Sequence, residues 1–143
     1  MLPMNWVGDW VGSRARLTPQ RTALINIDTH ASYTYEQMNR RAHLVAQWLI
    51  SQGLKKGDRV AAISSNCEEL IDLFYACGKT GIILCPLSHR LNPSEIADLI
   101  DRVNPSILLL HSEFDPLLQK IREQIPTFHF TDPTWHSQVY HAE

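Results

Sequence analysis

Cysteine is scarce in the sequence, and the three that occur, Cys67, Cys77 and Cys85, lack the CxxC spacing of zinc and redox motifs. Their odd number also argues against a disulfide framework. We therefore interpret all three as buried free thiols. A small thiol or metal enzyme stays a minor alternative, because sequence cannot show whether a cysteine and a histidine lie close enough to form a catalytic dyad.

The sequence also lacks a strong charge imbalance and a long apolar run. Its 143 residues include 13 basic and 15 acidic side chains, with a formal net charge of -2, which gives no electrostatic footprint for nucleic acid. No apolar run approaches a membrane span, and residues 1–20 lack the apolar stretch of a signal peptide. We expect a cytoplasmic protein that binds no nucleic acid and has no membrane span.

Metal-binding motifs are not found among the histidines. The sequence contains seven of them, and their spacing matches neither HExxH nor a comparable ligand pattern. They are His30, His43, His89, His111, His129, His136 and His141. We interpret most of the seven as surface or strand-end residues. The sequence therefore predicts no metal site.

Glycine is missing where a nucleotide-binding sheet would need it. Between Ile63 and Leu70 no glycine would let backbone amides close around a phosphate. Asn66 and Glu69 lie in this stretch, at the strand end where open α/β sheets bind ligands. Their spacing is also that of a helix cap and its reciprocal carboxylate, and we prefer this interpretation because it explains both residue types without a ligand.

The first third of the chain predicts one strand and one long helix. The strand covers Thr22–Ile27. Thr34 and Gln37 have the spacing of a capping box at the start of the helix, and Gly53 ends it. The apolar face of this helix consists of Tyr35, Met38, Ala42, Val45, Ala46 and Leu49. Trp48 lies off this face, and we interpret it as a packing residue, as we do Phe74 and Tyr75.

From Arg59 onward, short apolar runs alternate with amphipathic segments. The strands are predicted at residues 59–64, 82–85, 107–110 and 127–130. A helix over residues 66–79 directs Leu70, Ile71, Phe74 and Cys77 inward. The next helix begins with Asn92 as cap, Pro93 and Glu95, and buries Ile96, Leu99, Ile100 and Val103. A further helix begins at Asp115 and buries Leu117, Leu118, Ile121 and Ile125.

This alternation predicts a doubly wound α/β domain with a mostly parallel sheet and helices on both faces. The run at residues 107–110 has no polar alternation, as expected of a strand buried on both faces. We treat residues 1–143 as one domain. It comprises an N-terminal arm and first strand (1–32), the α/β core (33–131) and an irregular tail (132–143).

Two polar segments could bind a ligand. Lys55 and Lys56, with Asp58 and Arg59, could grip a phosphate, although a solvated turn before a strand is the commoner explanation. His89 and Arg90 follow the second parallel strand at the ligand-binding edge of the sheet. An isolated arginine there more often orders a loop than binds a substrate.

Four segments taken in order carry a family resemblance. They read LTPQRTALI, TYEQMNRRAHLVAQWL, GLKKGDRVAAISSNCEEL and ACGKTGIILCPLSHRL. Together they resemble the N-terminal region of the adenylate-forming (AMP-binding) enzymes, especially AMP-forming acyl-CoA synthetases. The resemblance extends from about Leu17 to Leu110. Ser88 stands where this family often has asparagine in a PLNxRL pattern.

The resemblance implies a ligase chemistry in two steps. A carboxylate attacks ATP with Mg²⁺ assistance to give an acyl-adenylate, and coenzyme A then displaces AMP. ATP, Mg²⁺ and coenzyme A are thus implied for the full-length family enzyme, and none is expected to bind this chain alone. The family's phosphate loop ends in lysine, but this sequence contains no Pro-Lys pair to match it. No catalytic, cofactor-binding or metal residue carries over.

Two function hypotheses follow. In the first, the chain is the N-terminal scaffold portion of an acyl-CoA ligase and is inactive alone. Its partner would then be the rest of the synthetase polypeptide, or a self-associating copy, at an exposed apolar face. In the second, the chain is a stand-alone binding or interaction module that keeps the fold without catalysis.

Overall fold

The computed structural model of the chain describes residues 8–118, 121 and 124–141. Its elements, in chain order, are α1 (Trp10–Leu17), β1 (Thr22–Ile25), β2 (Ser32–Thr34), α2 (Tyr35–Ser51), β3 (Arg59–Ile63), α3 (Glu68–Thr80), β4 (Ile83–Leu87), α4 (Pro93–Val103), β5 (Ile107–Leu110), a 3₁₀ helix (Ser112–Leu118), β6 (Thr127–His129) and α5 (Pro133–Tyr140). The α/β class predicted from the alternating pattern is confirmed.

Four parallel strands form the main sheet, in the spatial order β4, β3, β5, β6. In this order β3 and β5 are central, and all four residues of β5 are buried, as its unbroken apolar run predicted. β4 is an edge strand, which explains how it accommodates Pro86, a residue without an amide to donate. A separate antiparallel pair joins β1 to β2.

The sheet separates two apolar layers because successive side chains of a strand point to opposite faces. Val60 and Leu109 belong to the layer that α2, α3 and α5 cover, whereas Ala61 and Leu108 belong to the layer beneath α4. Helices therefore lie on both faces, as predicted. A third cluster joins α1 to α2 through Val11, Met38 and Ala42.

The predicted helix ends are mostly correct. Thr34 and Gln37 form the capping box of α2, and Gly53 follows the helix with φ of 87°. Asn92 and Glu95 form the capping box of α4, with Pro93 in its first turn. Ile96 and Ile100 are buried under this helix, whereas Leu99 and Val103 are only half-buried. The buried faces of α2 and α4 thus agree with the faces predicted from the spacing of apolar residues.

The prediction for α3 is wrong at its start and on part of its inner face. The helix begins at Glu68 rather than at residue 66, with Cys67 in the N-cap position. Phe74, predicted to point inward, has 56% of its surface exposed. The buried positions are Asp72, Leu73, Ala76, Cys77 and Lys79. The apolar residues of α3 are spaced so that either of two overlapping helix faces could be buried. Because α3 packs against α2, the buried face is the one that contains Leu73 and Ala76.

Two segments that the sequence left without regular structure are helical. The predicted irregular tail contains α5, which begins with Pro133 after Asp132 and buries Trp135 and Val139. Its eight residues are too few to show a helical period, so its stability comes from packing on Trp48 of α2. Within the predicted N-terminal arm, Asp9 accepts a hydrogen bond from the amide of Gly12 and caps α1.

The segment after β5 also differs from prediction. The helix expected from Asp115 is a 3₁₀ helix that begins earlier, at Ser112, and contains Pro116. Proline removes an amide donor and disfavours a regular α-helix at this place. Leu118 is buried as predicted, and Ile121 and Ile125 pack partly buried against the same layer. The side chain of Leu117 lies outside the described part of the chain.

Candidate functional site

Three loops meet at the carboxyl-terminal edge of the sheet because the strands that precede them are parallel. They follow β3, β4 and β5 at residues 64–67, 88–91 and 111–113, and the third runs into the 3₁₀ helix, whose first residues are 112 and 113. The amide of His111 donates to the carbonyl of Ile63 at 2.9 Å and fixes the third loop to the end of β3. This edge is where open α/β sheets bind ligands, so its polar groups are the first candidates for a site.

His89 connects the second loop to the other two. Its Nδ1 lies 3.2 Å from the carbonyl oxygen of Ser64. A carbonyl can only accept, so Nδ1 carries the hydrogen and donates this bond. The ring stacks on Phe114, with centroids 4.8 Å apart and planes 20° from parallel. The sequence placed His89 at this edge, and the structure shows that it orders the loops.

Glu113 forms the second connection across this edge. Its Oε1 accepts a hydrogen bond of 3.1 Å from the hydroxyl of Ser65 and lies 3.5 Å from Nδ1 of His111. These contacts join the loop after β3 to the loop after β5. The polar groups of the edge therefore bind one another, as expected of a rigid scaffold.

Arg90, the other residue predicted at this edge, is exposed and belongs to a turn. Its amide donates to the hydroxyl of Ser88 at 3.3 Å, and the amide of Leu91 donates to the carbonyl of Ser88 at 3.3 Å. Serine and asparagine can both accept such a local backbone bond. The serine at this position of the PLNxRL pattern therefore keeps the turn.

Of the three thiols predicted to be buried, Cys77 is buried, whereas Cys67 and Cys85 are only half-buried. Cys67 is nevertheless a poor candidate nucleophile. Burial raises the pKa of its thiol, and the Sγ atom lies 3.4 Å from the hydroxyl of Ser64. Burial likewise raises the pKa of Cys77 to about 12. Both thiols stay protonated at neutral pH, whereas thiol catalysis needs the thiolate.

The capping interpretation of Asn66 and Glu69 is wrong. The helix begins later than predicted, and no side chain caps its first amide groups. Glu68 and Glu69 instead place negative charge in the first turn, which favours the helix dipole. Glu68 accepts from the side-chain amide of Asn26 at 2.9 Å, and Oε1 of Glu69 lies 2.8 Å from Nε2 of His136. The two acids attach the β1–β2 pair and α5 to α3.

A buried charged cluster one turn further along α3 was missed by sequence reasoning. Asp72 is fully buried, and its Oδ2 accepts hydrogen bonds from Nε of Arg41 at 2.9 Å and from the hydroxyl of Tyr140 at 2.7 Å. The guanidinium of Arg41 also lies over the rings of Tyr33 and Tyr140. The one sequence signal was an aspartate inside the apolar run LIDLF.

Ionisation in this cluster is governed by burial. Removal from water raises the pKa of Asp72 above its ordinary value, and hydrogen bonds from Arg41 and Tyr140 oppose that shift. Burial, together with the charge of Asp72, raises the pKa of Tyr140. The phenol is therefore a permanent donor to the carboxylate. The cluster joins α2, α3 and α5, and we assign it a structural role.

An apolar groove of about 560 Å³ lies along α3 and the edge strand β4. Trp10, Phe74 and Leu84 contribute to its lining. Trp10 is 65% exposed and Phe74 56% exposed, so the predicted packing role of Phe74 is not fulfilled within the described residues. Large exposed aromatic side chains at the edge of a sheet are typical of a surface that another segment covers.

Within residues 8–118, 121 and 124–141, no group of three or more histidine, cysteine or acidic side chains is arranged to hold a metal ion. None of the helices described there has the length and apolar character needed to cross a bilayer.

A family model described as AMP-binding enzyme matches residues 12–140 of this chain. Among curated relatives, the long-chain-fatty-acid–CoA ligase FadD13 of Mycobacterium tuberculosis is 31% identical over 121 residues, which are 85% of this chain and 24% of the relative. A feruloyl-CoA synthase of Amycolatopsis is 32% identical over 103 residues, or 72% and 21% of the two chains. The chain thus spans about a quarter of the length of these curated relatives.

Solved structures show the same architecture. The N-terminal domain of FACL13 from Mycobacterium tuberculosis superposes with a TM-score of 0.86 at 26% identity, over 97% of this chain and 36% of that one. The O-succinylbenzoate coenzyme A synthetase of Bacillus subtilis, solved in complex with AMP, gives a TM-score of 0.75 at 26% identity. That match covers 83% of this chain and 30% of the other.

Proposed function

Since the chain belongs to the AMP-binding enzyme family, we propose that it is the N-terminal scaffold portion of a cytoplasmic, ATP-dependent acyl-CoA ligase. The full enzyme would join a carboxylic acid to coenzyme A through an acyl-adenylate, using ATP and Mg²⁺. The 143 residues would supply the sheet on which later segments are arranged, and would be inactive alone. The acid is a fatty or related aromatic acid by resemblance to the relatives.

The observation that carries this proposal is that the polar groups at the carboxyl-terminal edge of the sheet bind one another. Ser65 and Glu113 bind each other there, and His89 binds the loop after β3. These groups hold loops together, and no glycine lies between Ile63 and Leu70 to bring backbone amides around a phosphate. This edge therefore fits a scaffold better than a complete nucleotide site. We propose that the phosphate loop comes from elsewhere in the polypeptide and that the scaffold positions it.

The exposed lining of the apolar groove supports the proposal that another part of the same polypeptide packs against this chain. Its aromatic lining residues Trp10 and Phe74 are more than half exposed, and β4 beside it has a free hydrogen-bonding edge among the described strands. Burying such side chains would stabilise the assembly by about 25 cal/mol for each Å² removed from water. We propose that the remainder of the synthetase covers this groove.

The test is ATP–pyrophosphate exchange, which reports adenylate formation with any carboxylic acid. The 143-residue chain should give no exchange with fatty or aromatic acids. The same residues within the full-length polypeptide should give exchange that depends on both the acid and Mg²⁺. Exchange by the 143 residues alone would contradict the claim of inactivity. A full-length polypeptide that is well folded and gives no exchange with any acid would contradict the proposal that these residues belong to a ligase.

A further inference from the structure

The apolar groove lies at the margin of a helix layer. Its lining combines residues of α3 with Leu84 and Pro86 of β4 and with Trp10 of α1. The helices α2, α3 and α5 cover this face of the sheet, and β4 is the outermost of the described strands on its side. On the premise of the proposed function, we propose that the groove receives the apolar face of an α-helix from the part of the synthetase outside these 143 residues. The added helix would continue the layer.

The groove offers a partner a large apolar surface to cover. Trp10 is 65% exposed and Phe74 is 56% exposed. Pro86 is also exposed, and Leu84 and Tyr75 are half-buried. All five line the groove. Removing such side chains from water is the main favourable contribution to association.

Charged groups are missing from the described lining of the groove, which includes no acid, lysine, arginine or histidine. The two polar segments indicated by the sequence lie elsewhere. His89 and Arg90 belong to the carboxyl-terminal edge, and the amide of Lys55 donates to the carboxylate of Asp58 at 2.7 Å in the turn before β3. A charged side chain in the groove would lose its hydration without gaining an opposite charge. The contacting face of the partner must therefore be apolar.

The outer edge of β4 is poorly suited to bind an added strand. The amide of Ile83 donates to the carbonyl of Asp58 at 2.8 Å and so points toward β3. Because the amides of successive strand residues point to opposite sides, those of residues 84 and 86 belong to the outer edge. Pro86 has no amide hydrogen, which leaves Leu84 as the one donor of β4 on that side. A proline at an edge is a common protection against strand addition.

An α-helix does not need backbone partners from the groove. A segment buried there must find partners for each of its N–H and C=O groups. Among the described lining residues, only the side chains of Trp10, Tyr75 and Cys77 carry a polar hydrogen. A helix satisfies its backbone internally except at its ends, and buries side chains alone. It would pack on the lining and leave the outward amide of Leu84 in contact with water.

Photo-crosslinking in the full-length polypeptide tests the proposal. Phe74→p-benzoylphenylalanine replaces one aromatic side chain of the groove with a photoreactive one, and Trp10→p-benzoylphenylalanine does so at a second position. Crosslinks from both should fall in one segment outside these 143 residues, at positions three or four residues apart. Ile25→p-benzoylphenylalanine is the control, because Ile25 is 60% exposed and lies outside the groove. It should not reach that segment.

The spacing of the crosslinks distinguishes a helix from a strand. Crosslinks at alternate residues would indicate an added strand and would overturn the proposal, as would crosslinks scattered over several segments. The absence of any crosslink outside the 143 residues would also overturn it, because the groove would then be uncovered. The helical spacing in a polypeptide without ATP–pyrophosphate exchange would uphold the docked helix and contradict the ligase chemistry.

Hydrogen exchange at β4 gives a second measurement. Of its five residues, all but Pro86 carry an amide hydrogen, and those of Ile83, Cys85 and Leu87 point toward β3. Mass spectrometry should therefore detect one rapidly exchanging amide, that of Leu84, both in the 143-residue chain and in the full-length polypeptide. Loss of this rapid exchange in the full-length polypeptide alone would indicate an added strand and overturn the proposal.

Discussion

Nε of Arg41 lies 2.9 Å from Oδ2 of Asp72, and Nη2 of the same arginine lies 2.6 Å from that oxygen. The pair joins α2 to α3, and the hydroxyl of Tyr140 adds α5 at 2.7 Å. Three helices are thus connected through one carboxylate oxygen. The other oxygen, Oδ1, has no hydrogen-bond partner among the described residues, so this buried charge is only partly compensated.

The stability of the chain should depend on pH through Asp72. Its pKa is raised in the folded chain above the ordinary value of 3.8, mainly by burial. Protonation therefore favours folding, and this contribution is fully present below pH 3.8 and is lost as the pH rises through the folded pKa. The free energy of unfolding of the unsubstituted chain, relative to Asp72→Asn, should fall over that interval. Urea titrations at several pH values measure it; a relative stability that rises with pH would show a lowered pKa instead.

Tyr140→Phe should destabilise the chain by about 1.5 to 3 kcal/mol, because it removes a hydrogen bond to a buried charged group. The ring would still pack on Arg41, whose guanidinium carbon lies 4.5 Å from the ring centroid. Tyr75→Phe on α3 is the matched control and should change the free energy of unfolding by less than about 0.5 kcal/mol. Urea denaturation of both variants gives the comparison. Equal effects would mean that the bond to Asp72 contributes nothing specific.

The corrected start of α3 predicts opposite behaviour for two asparagines. Asn92→Ala removes a side chain that accepts from the amide of Glu95 at 3.0 Å, and should cost about 1 kcal/mol. Asn66→Ala removes no cap and should cost less than about 0.5 kcal/mol. Thermal or urea unfolding distinguishes the two. A large loss in Asn66→Ala would restore the capping role that the sequence predicted.

The apolar groove should cause the 143-residue chain to self-associate when nothing covers it. Phe74→Ser should reduce association in sedimentation velocity runs at matched concentrations, because Phe74 is 56% exposed and lines the groove. Ile25→Ser is the control: Ile25 is 60% exposed but lies on β1, away from this groove. A monomer that is unaffected by either change would argue against the groove as a contact surface.

Local signals predicted much of the fold. The capping boxes at Thr34 and Asn92 use residues three positions apart, and the unbroken run of β5 reveals its burial without knowledge of its neighbours. The alternation of strands and helices was sufficient for the α/β class. These features depend on short-range chemistry, which a single sequence contains in full.

Long-range contacts determined the parts that sequence reasoning missed. Asp72 is 31 residues from Arg41 and 68 from Tyr140, so nothing near it in the sequence indicates that it is paired. The helix α5 is stabilised by Trp48, far upstream, and its own eight residues show no period. Each depends on the tertiary arrangement rather than on a local motif.

The central claim is that these residues act as the scaffold portion of a larger ligase. The most direct test is the intact mass of the native polypeptide in its source cells, detected with an antibody raised against this chain. We predict a product several-fold heavier than 16.4 kDa, since the chain spans about a quarter of its curated relatives. A native product of 16.4 kDa would contradict the account and indicate a stand-alone module.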